Sequence, residues 1–393
     1  MTTKPTYNHI PALRFPEFQN DGEWRVKRLG EIAKTFSGGT PSANNKDYYG
    51  GNIPFIRSGE INSDHTELFL TQNGLDNSSA KMVEKGTILY ALYGATSGEV
   101  GIAQMRGAIN QAILAIIPKE GVSTAFLYQY LKSQKSSIVN RYIQGGQGNL
   151  SGEIINSLNI PHPPFAEQCR IAESLSAIDK IIASTKRKSD LLKAYKKGLI
   201  QKLFPAQGKT LPEYRFKDFE KEGEWEVKKL GDCLQYEQPQ PYLVASENYS
   251  SKGTPVLTAG KTFVLGYTTE DFGIFEDVPV IMFDDFTTDS KYVDFPFKVK
   301  SSAMKMLHAK EGYNLKFIFE TMQTIGFKPM DHQRHWISIY SNFVIATPSF
   351  NEQCEIASCF SSLDEAINAY ALRVVSLQEY KKGLMQQMFP TSK

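Results

Sequence analysis

The sequence predicts an α+β chain in which two mixed, β-rich domains are joined by two long helices. The helices are expected to pack as an antiparallel coiled coil, with pseudo-twofold symmetry arising from a tandem repeat. Three observations predict this. The flanks of each domain recur along the chain, two proline-bounded segments carry apolar residues at heptad spacing, and the intervening stretches are rich in β-branched and aromatic residues.

Composition sets the limits. A chain of 393 residues, 41% of them hydrophobic, can bury a sizeable core, and at roughly 100 to 200 residues per domain it holds about two to four domains. No run approaches the roughly 18 apolar residues of a membrane span, and "MTTKPTYNHIPALRF" lacks the apolar stretch of a signal peptide. A cytoplasmic protein with no membrane partner is expected. Cys169, Cys233, Cys354 and Cys359 show no CxxC pairing, so neither a zinc site nor a disulfide framework is indicated, and no metal is expected. The 44 Lys and Arg nearly balance the 42 Asp and Glu; bulk charge does not demand nucleic acid, although local patches could bind it.

The repeat defines the organisation. "PALRFPEFQNDGEWRVKRLGEI" (Pro11 to Ile32) returns as "PEYRFKDFEKEGEWEVKKLGDC" (Pro212 to Cys233), matching at Arg14/Arg215, Phe15/Phe216, Phe18/Phe219, Gly22/Gly223, Trp24/Trp225 and Leu29/Leu230. "PPFAEQC" (Pro163 to Cys169) opens a segment that returns from Pro348 as "PSFNEQC", and both copies end in "YKKGL" and a closing "FP". The segments expected are a leader (1–10), a first domain (11–160), a first long helix (161–205), a second domain (206–345), and a second long helix with its tail (346–393). The domain centres scarcely match in sequence, which suggests one scaffold carrying two different readers.

Each repeated helix is read from its spacing. Steps of four and three from Ile171 pass through Leu175, Ile178, Ile182, Thr185, Ser189, Leu192, Lys196, Leu199 and Leu203. The same walk from Ile356 passes through Phe360, Leu363, Ile367, Tyr370, Val374, Leu377, Lys381, Leu384 and Met388. Both are heptad seams with polar interruptions, and prolines punctuate both ends. A helix of about 38 residues is roughly 57 Å long. Lys196 and Lys381 fall at the same step of the two seams. Two roles suit them: polar seam residues that fix helix orientation, or side chains that snorkel to solvent.

Connectivity suggests direction. Each domain feeds the N-terminus of its own helix, so an antiparallel pair would hold the two domains about 50 Å apart, or roughly 15 base pairs at 3.4 Å each. A pseudo-twofold object of this kind suits two half-sites along one face of a duplex.

The domain centres read as strands at Gly86–Gly94, Ala112–Ile117, Val278–Phe286 and Lys291–Lys300, with shorter helices in "STAFLYQYLKSQKSSIVNRYI" and "NLKFIFETMQTIGF". Between them lie polar, glycine-bearing loops. Asn and Gln can pair bidentately with adenine, Arg and Lys with guanine, and Gly admits a phosphate to the backbone. The first domain offers Thr40, Ser42, Asn44, Asn45, Lys46, Tyr48, Arg57, Ser97, Gln144, Gln147 and Asn149 as candidate DNA contacts. The second offers Lys261, Thr262, Tyr267, Thr287, Lys291, His332, Gln333, Arg334 and His335. Ordinary surface loops are the plain alternative.

The run "FSGGTPSANNKDYYGGNIPFIRSGEI", followed by "PPFAEQCRIAESLSAIDKII" with the unit duplicated, resembles the DNA-specificity subunit of type I restriction-modification systems. The resemblance extends over residues 11 to 390. It implies two target-recognition domains, each reading one part of a bipartite site, and a helical pair that measures the spacer. It further implies that the pair docks two methyltransferase subunits and that two restriction subunits join them. S-adenosylmethionine, ATP and Mg²⁺ would belong to those partners, with no cofactor on this chain and no catalytic residue in it. The second domain lacks the GGTPS run, although "GTPVLTAGKTFVLGYT" and "HQRHWISIYS" resemble another subtype of the same family.

Two enzyme readings compete with this one. An amino-methyltransferase needs Asn, Asp or Ser before its Pro-Pro-aromatic run, but His162 stands there, and the second copy has Thr347 before "PSF". A metal-dependent endonuclease could draw on Asp284, Asp285 and Asp289 with Lys291 nearby, a cluster that the first copy lacks.

Overall fold

The computed structural model describes residues 10–142, 149–258, 262–327, 329 and 334–390. Two compact units emerge, residues 1–185 with 373–393, and residues 186–372. They group residues differently from the sequence segments: each unit joins one mixed domain to the first part of its own long helix and the last part of the other. The long helices are Phe165–Leu203 and Phe350–Met388, each 39 residues. Among the described residues, no helix is long and apolar enough to cross a membrane.

In the first unit, four antiparallel strands lie in the order Ala33–Ser37, Ile113–Pro118, Ile88–Ala91, Val100–Ile102. Side chains alternate between faces along a strand, and here both faces are covered. Ile88, Tyr90, Leu114 and Ile116 meet Phe126, Leu131, Ile171 and Leu175 from the helical layer. Leu89, Ala91, Ile113 and Ala115 meet Ile56, Val83 and Ile109 from a second sheet. That explains the unbroken apolar character of "ILYA". The second sheet runs Phe69–Leu70, Tyr49–Ile56, Gly107–Ile109, Lys81–Val83, and Phe55 pairs in parallel with Ala108.

The second unit repeats this plan with unrelated residues. Its four-stranded antiparallel sheet is ordered Leu234–Glu237, Met304–Ala309, Val280–Asp284, Ser290–Val293. Ile281, Phe283 and Leu307 face Phe204, Phe317 and Phe360, while Val280, Met282 and Met306 face Leu257 and Phe297. A smaller sheet, Val264–Thr268, Thr254–Leu257, Lys298–Val299, again holds one parallel pairing, Val256 with Lys298. The expected strand Lys291–Lys300 is therefore two strands in two sheets. Pro296 interrupts it, since proline donates no ladder hydrogen bond. The expected helix from Ser123 likewise divides into Thr124–Ser133 and Lys135–Tyr142.

The repeated flanks are contact partners. Arg14 forks onto both Glu167 oxygens at 2.7 Å, and the Trp24 ring N–H donates to the same carboxylate at 3.1 Å. Arg215 does the same to Glu352 at 2.8 and 2.7 Å. The neighbouring Gln seats the helix entrance: Gln168 Nε2 donates to the Pro163 carbonyl and its Oε1 accepts from the Ser123 N–H, both at 2.9 Å. Gln353 repeats this with Pro348 and Asn314 at 3.0 and 2.9 Å. Arg25–Arg28 pairs antiparallel with Asn159–His162, and Glu226–Lys229 with Val344–Thr347.

No residue of either seam is exposed. Ile171, Leu175, Leu203, Ile356, Phe360, Ile367 and Met388 are buried, and Ile178, Ile182, Leu192, Leu199, Leu363, Val374, Leu377 and Leu384 are half-buried. Within the first unit, Ile171 and Leu175 share a core with Met385, Met388 and Phe389. Within the second, Phe204 stacks on Phe360 with ring centroids 5.9 Å apart. Lys196 and Lys381 do not snorkel. Lys381 lies 2.7 Å from both Asp179 oxygens, and Lys196 lies 2.8 and 2.9 Å from those of Asp364.

Candidate nucleic-acid interface

Backbone hydrogen bonds bring the polar loops of each domain together. In the first, Leu92 at the end of a buried strand receives the Leu150 N–H on its carbonyl at 3.0 Å and donates its own N–H to Ala112 at 2.8 Å. Ser97 Oγ donates to the same Leu92 carbonyl at 3.1 Å. The turn after Leu92, the segment Asn110–Ala112 and the stretch from Asn149 therefore adjoin one another. The "SGGTPS" loop joins them, with Thr40 Oγ1 donating to Gln111 Oε1 at 2.5 Å and the Gly39 N–H donating to the Ile109 carbonyl at 3.2 Å. A Cβ on Gly38 would meet the Ile109 carbonyl oxygen at 1.8 Å, and one on Gly39 would meet Ser79 Cβ at 2.4 Å. That close approach is why two glycines stand there.

The second domain builds the same corner. Asp285 accepts the His335 N–H on its carbonyl at 2.9 Å and donates its N–H to Ala303 at 3.0 Å. Its side chain accepts the Trp336 N–H at 2.8 Å and pairs with Lys305 at 3.2 Å. Asp284 Oδ1 accepts from the N–H groups of Phe286 and Thr287 at 2.8 and 3.2 Å, and Thr288 closes the turn with φ of 60°. Lys300, whose N–H donates to the Leu257 carbonyl at 2.9 Å, brings the adjoining hairpin alongside.

The candidates fall into distinct environments. Thr40, Ser42, Asn44, Lys46, Asn149, Thr262, Thr287, Lys291 and Arg334 are exposed. Tyr48, Ser97 and Tyr267 are half-buried, as is Asn45, whose side chain accepts the Asp47 N–H at 3.1 Å and caps a short 3₁₀ turn. Arg57 is not a free fork, because its guanidinium is shared between Glu60 at 2.7 Å and Glu67 at 2.6 Å. The hydrogen bonds from Glu60, then Glu67, hold its charge more firmly than usual. His335 is a correction to the surface reading: it is 1% exposed, with its ring edge-on to Phe327. Gln144, Gln147, Lys261, His332 and Gln333 lie outside the described residues. Sequence reasoning missed Gln111, an exposed amide beside Thr40. Only its place after a short, buried Gly107–Ile109 strand marks it.

Among the described residues, the enzyme alternatives find no support. Asp284 caps a turn and Asp285 is buried against Lys305, so both carboxylates are spent on structure, while Asp289 and Lys291 are exposed. Among the described residues, no group of three or more His, Cys, Asp or Glu could hold a metal ion, so the endonuclease reading has no support there. His162 ends a strand paired with Arg25. Burial, then Lys27 and Arg25, lowers its pKa, and the following Pro-Pro-Phe is a helix entrance rather than an amine-binding loop.

Comparison with known proteins gives consistent matches. The model of the "Type I restriction modification DNA specificity domain" matches residues 21–194. The specificity subunit of an Escherichia coli type I restriction enzyme is 50% identical over 126 residues, covering 30% of this chain and 31% of that one. One such subunit from Methanocaldococcus jannaschii is 32% identical over 55% of this chain and 52% of its own. These two matches thus span about a third and about half of the relatives' lengths. Another subunit from M. jannaschii is 22% identical over 96% of this chain and 94% of its own. A solved S subunit of a type I restriction-modification system from M. genitalium has a similar fold, with a TM-score of 0.66 at 17% identity, over 98% of this chain and all of that one.

Proposed function

We propose that this chain is a non-catalytic DNA-binding subunit of the type I restriction-modification DNA specificity family, reading a bipartite target with one domain per half-site, a reading supported by its matches to that family's model and members. It directs partner subunits that methylate adenine and cleave DNA. Two methyltransferase and two restriction subunits complete the assembly in the cytoplasm, and they bring S-adenosylmethionine, ATP and Mg²⁺.

One observation carries the reading: the same loop corner occurs in both domains, hung on Leu92 in one and Asp285 in the other, but displays different side chains. Equal scaffolds with unequal surfaces suit two half-sites of different sequence. Thr40, Gln111 and Asn149 are the base-reading set in the first domain; Thr287, Lys291 and Arg334 are that set in the second, with Thr262 on the adjoining hairpin. Asn44, Lys46 and Ser42 suit phosphate contacts, which position a protein without specifying sequence.

The long helices act as an antiparallel, pseudo-twofold ruler. Contacts inside each unit support this: Asp179 meets Lys381 in the first, and Asp364, the repeat counterpart of Asp179, meets Lys196, the counterpart of Lys381, in the second. Moving up one helix accompanies moving down the other. The test is to map methylated adenines genome-wide for the assembled complex, then to exchange residues 33–160 for those of a relative. One half-site should change while the other stays. A change in both halves, or in neither, would refute independent readers.

A further inference from the structure

Each domain lays one short helix on the long ones, and these helices can be aligned by their caps. Ser123 caps Thr124–Ser133 and Asn314 caps Leu315–Met322, and each cap N–H donates to the repeated Gln at 2.9 Å. Counted from the caps, Gln129 is equivalent to Glu320, and Ala125 to Lys316.

In the first unit, Gln129 bridges an ion pair with both ends of its amide. Its Nε2 donates to Asp179 Oδ2 at 2.7 Å, and its Oε1 accepts from Lys381 Nζ at 2.9 Å. In the second, Glu320 can accept but cannot donate. Its Oε1 accepts from Lys196 Nζ at 2.7 Å, while Lys316 Nζ donates to Asp364 Oδ2 at 2.5 Å and lies 2.9 Å from Glu320. Glu320 thus supplies the acceptor half of the amide and Lys316 the donor half. The long helices contribute one Lys and one Asp to each node, and the side chains that the domain hydrogen-bonds to them add no net charge. Lys132, at the exposed end of the first short helix, acts on Asp179 from outside that set. Gln129 adds none, and Lys316 with Glu320 adds one of each sign.

We propose that Gln129, and Lys316 with Glu320, are interchangeable latches: positioning residues that set the pose of each recognition domain on the long helices and decide which domains can be seated there. A domain fits when it brings one neutral donor–acceptor set, as a single amide or as a Lys–Glu pair one turn apart. The inference rests on the proposal that the helices measure the spacer of a bipartite DNA site.

The test uses the full chain with its methyltransferase partners. It measures thermal unfolding, and methylation of duplexes with fixed half-sites and varied spacers. Gln129→Glu and Lys316→Ala each leave one buried negative charge uncompensated. Each should lower Tm by roughly 5 to 10 °C and flatten spacer preference about tenfold, with base preference unchanged. Gln129→Glu with Ala125→Lys, and Lys316→Ala with Glu320→Gln, should restore both readouts. If a single variant fails to assemble, its double variant must still assemble and keep the wild-type spacer. Doubles no better than singles, or singles with unaltered Tm and spacer preference, would overturn the latch. A wild-type complex indifferent to two half-sites would instead defeat the DNA-reading proposal, and rescue of Tm by the doubles would still judge the latch.

Discussion

Arg14 and Glu167, 153 residues apart, meet as a two-pronged ion pair with both prongs at 2.7 Å and the carboxylate wholly buried. Removing one partner of such a pair strands the other charge. Glu167→Gln should therefore cost about 3 to 5 kcal/mol, read as an earlier denaturant midpoint in tryptophan fluorescence, to which Trp24, its ring N–H sharing that carboxylate, contributes. Glu352→Gln should cost less, because Arg215 keeps a second carboxylate, Glu222, at 3.7 Å. Equal midpoints for wild type and Glu167→Gln would show that the pair contributes nothing.

Gln111 and Arg334 are exposed at corresponding corners of the two domains. If each makes a bidentate base contact, Gln111→Ala or Arg334→Ala should cost about 1 to 3 kcal/mol at one base position and relax specificity there alone. Binding titrations against single-base variants of the target would check this. Uniform weakening across all variants, with a shallower salt dependence, would mark a phosphate contact instead.

Shortening both long helices by one heptad should change the preferred spacer and leave the half-site sequences alone, since a heptad removes about 10 Å of helix. Methylation of a spacer series reads this directly. An unchanged spacer would sink the ruler.

Glu60 should make stability fall in acid. Its carboxylate is partly buried, which opposes ionisation, but hydrogen bonds from Arg57, then from the Glu67 N–H and Thr66, outweigh burial and bring its pKa from 4.5 to about 2. A pKa lowered by folding adds stability above the unfolded value and loses it as pH falls through the folded one. The gap in stability between wild type and Glu60→Gln, about 1 to 2 kcal/mol after allowing for the solvent reaching Arg57, should hold at pH 7 and shrink from pH 4.5 towards 2. A gap independent of pH would assign it to packing.

The scaffold was legible where spacing carries the information. Heptad steps passed only through positions that the structure buries or half-buries, because a helix puts residues three and four apart on one face whatever surrounds it. The repeated Arg and Glu of the flanks pointed to a duplicated unit, and the structure adds that they pair with each other in both copies, with Trp24 joining in the first. The binding surface was less legible. Arg57 reads as a guanine fork until Glu60 and Glu67 occupy it, and Asp285 reads as a metal ligand until Lys305 and the Trp336 N–H claim it.

By itself, the sequence determined the tandem plan and the two long helices, and it carried the family resemblance, since repeats and periodicity are properties of order along the chain. Only the tertiary structure decided that domains with scarcely matching sequences share one strand order, that Gln111 stands beside Thr40, that His335 is buried, and that Lys316 and Glu320 together replace Gln129. Each depends on which distant strands pair and on which charges share a space without water. Such pairings are non-local, and no local pattern encodes them.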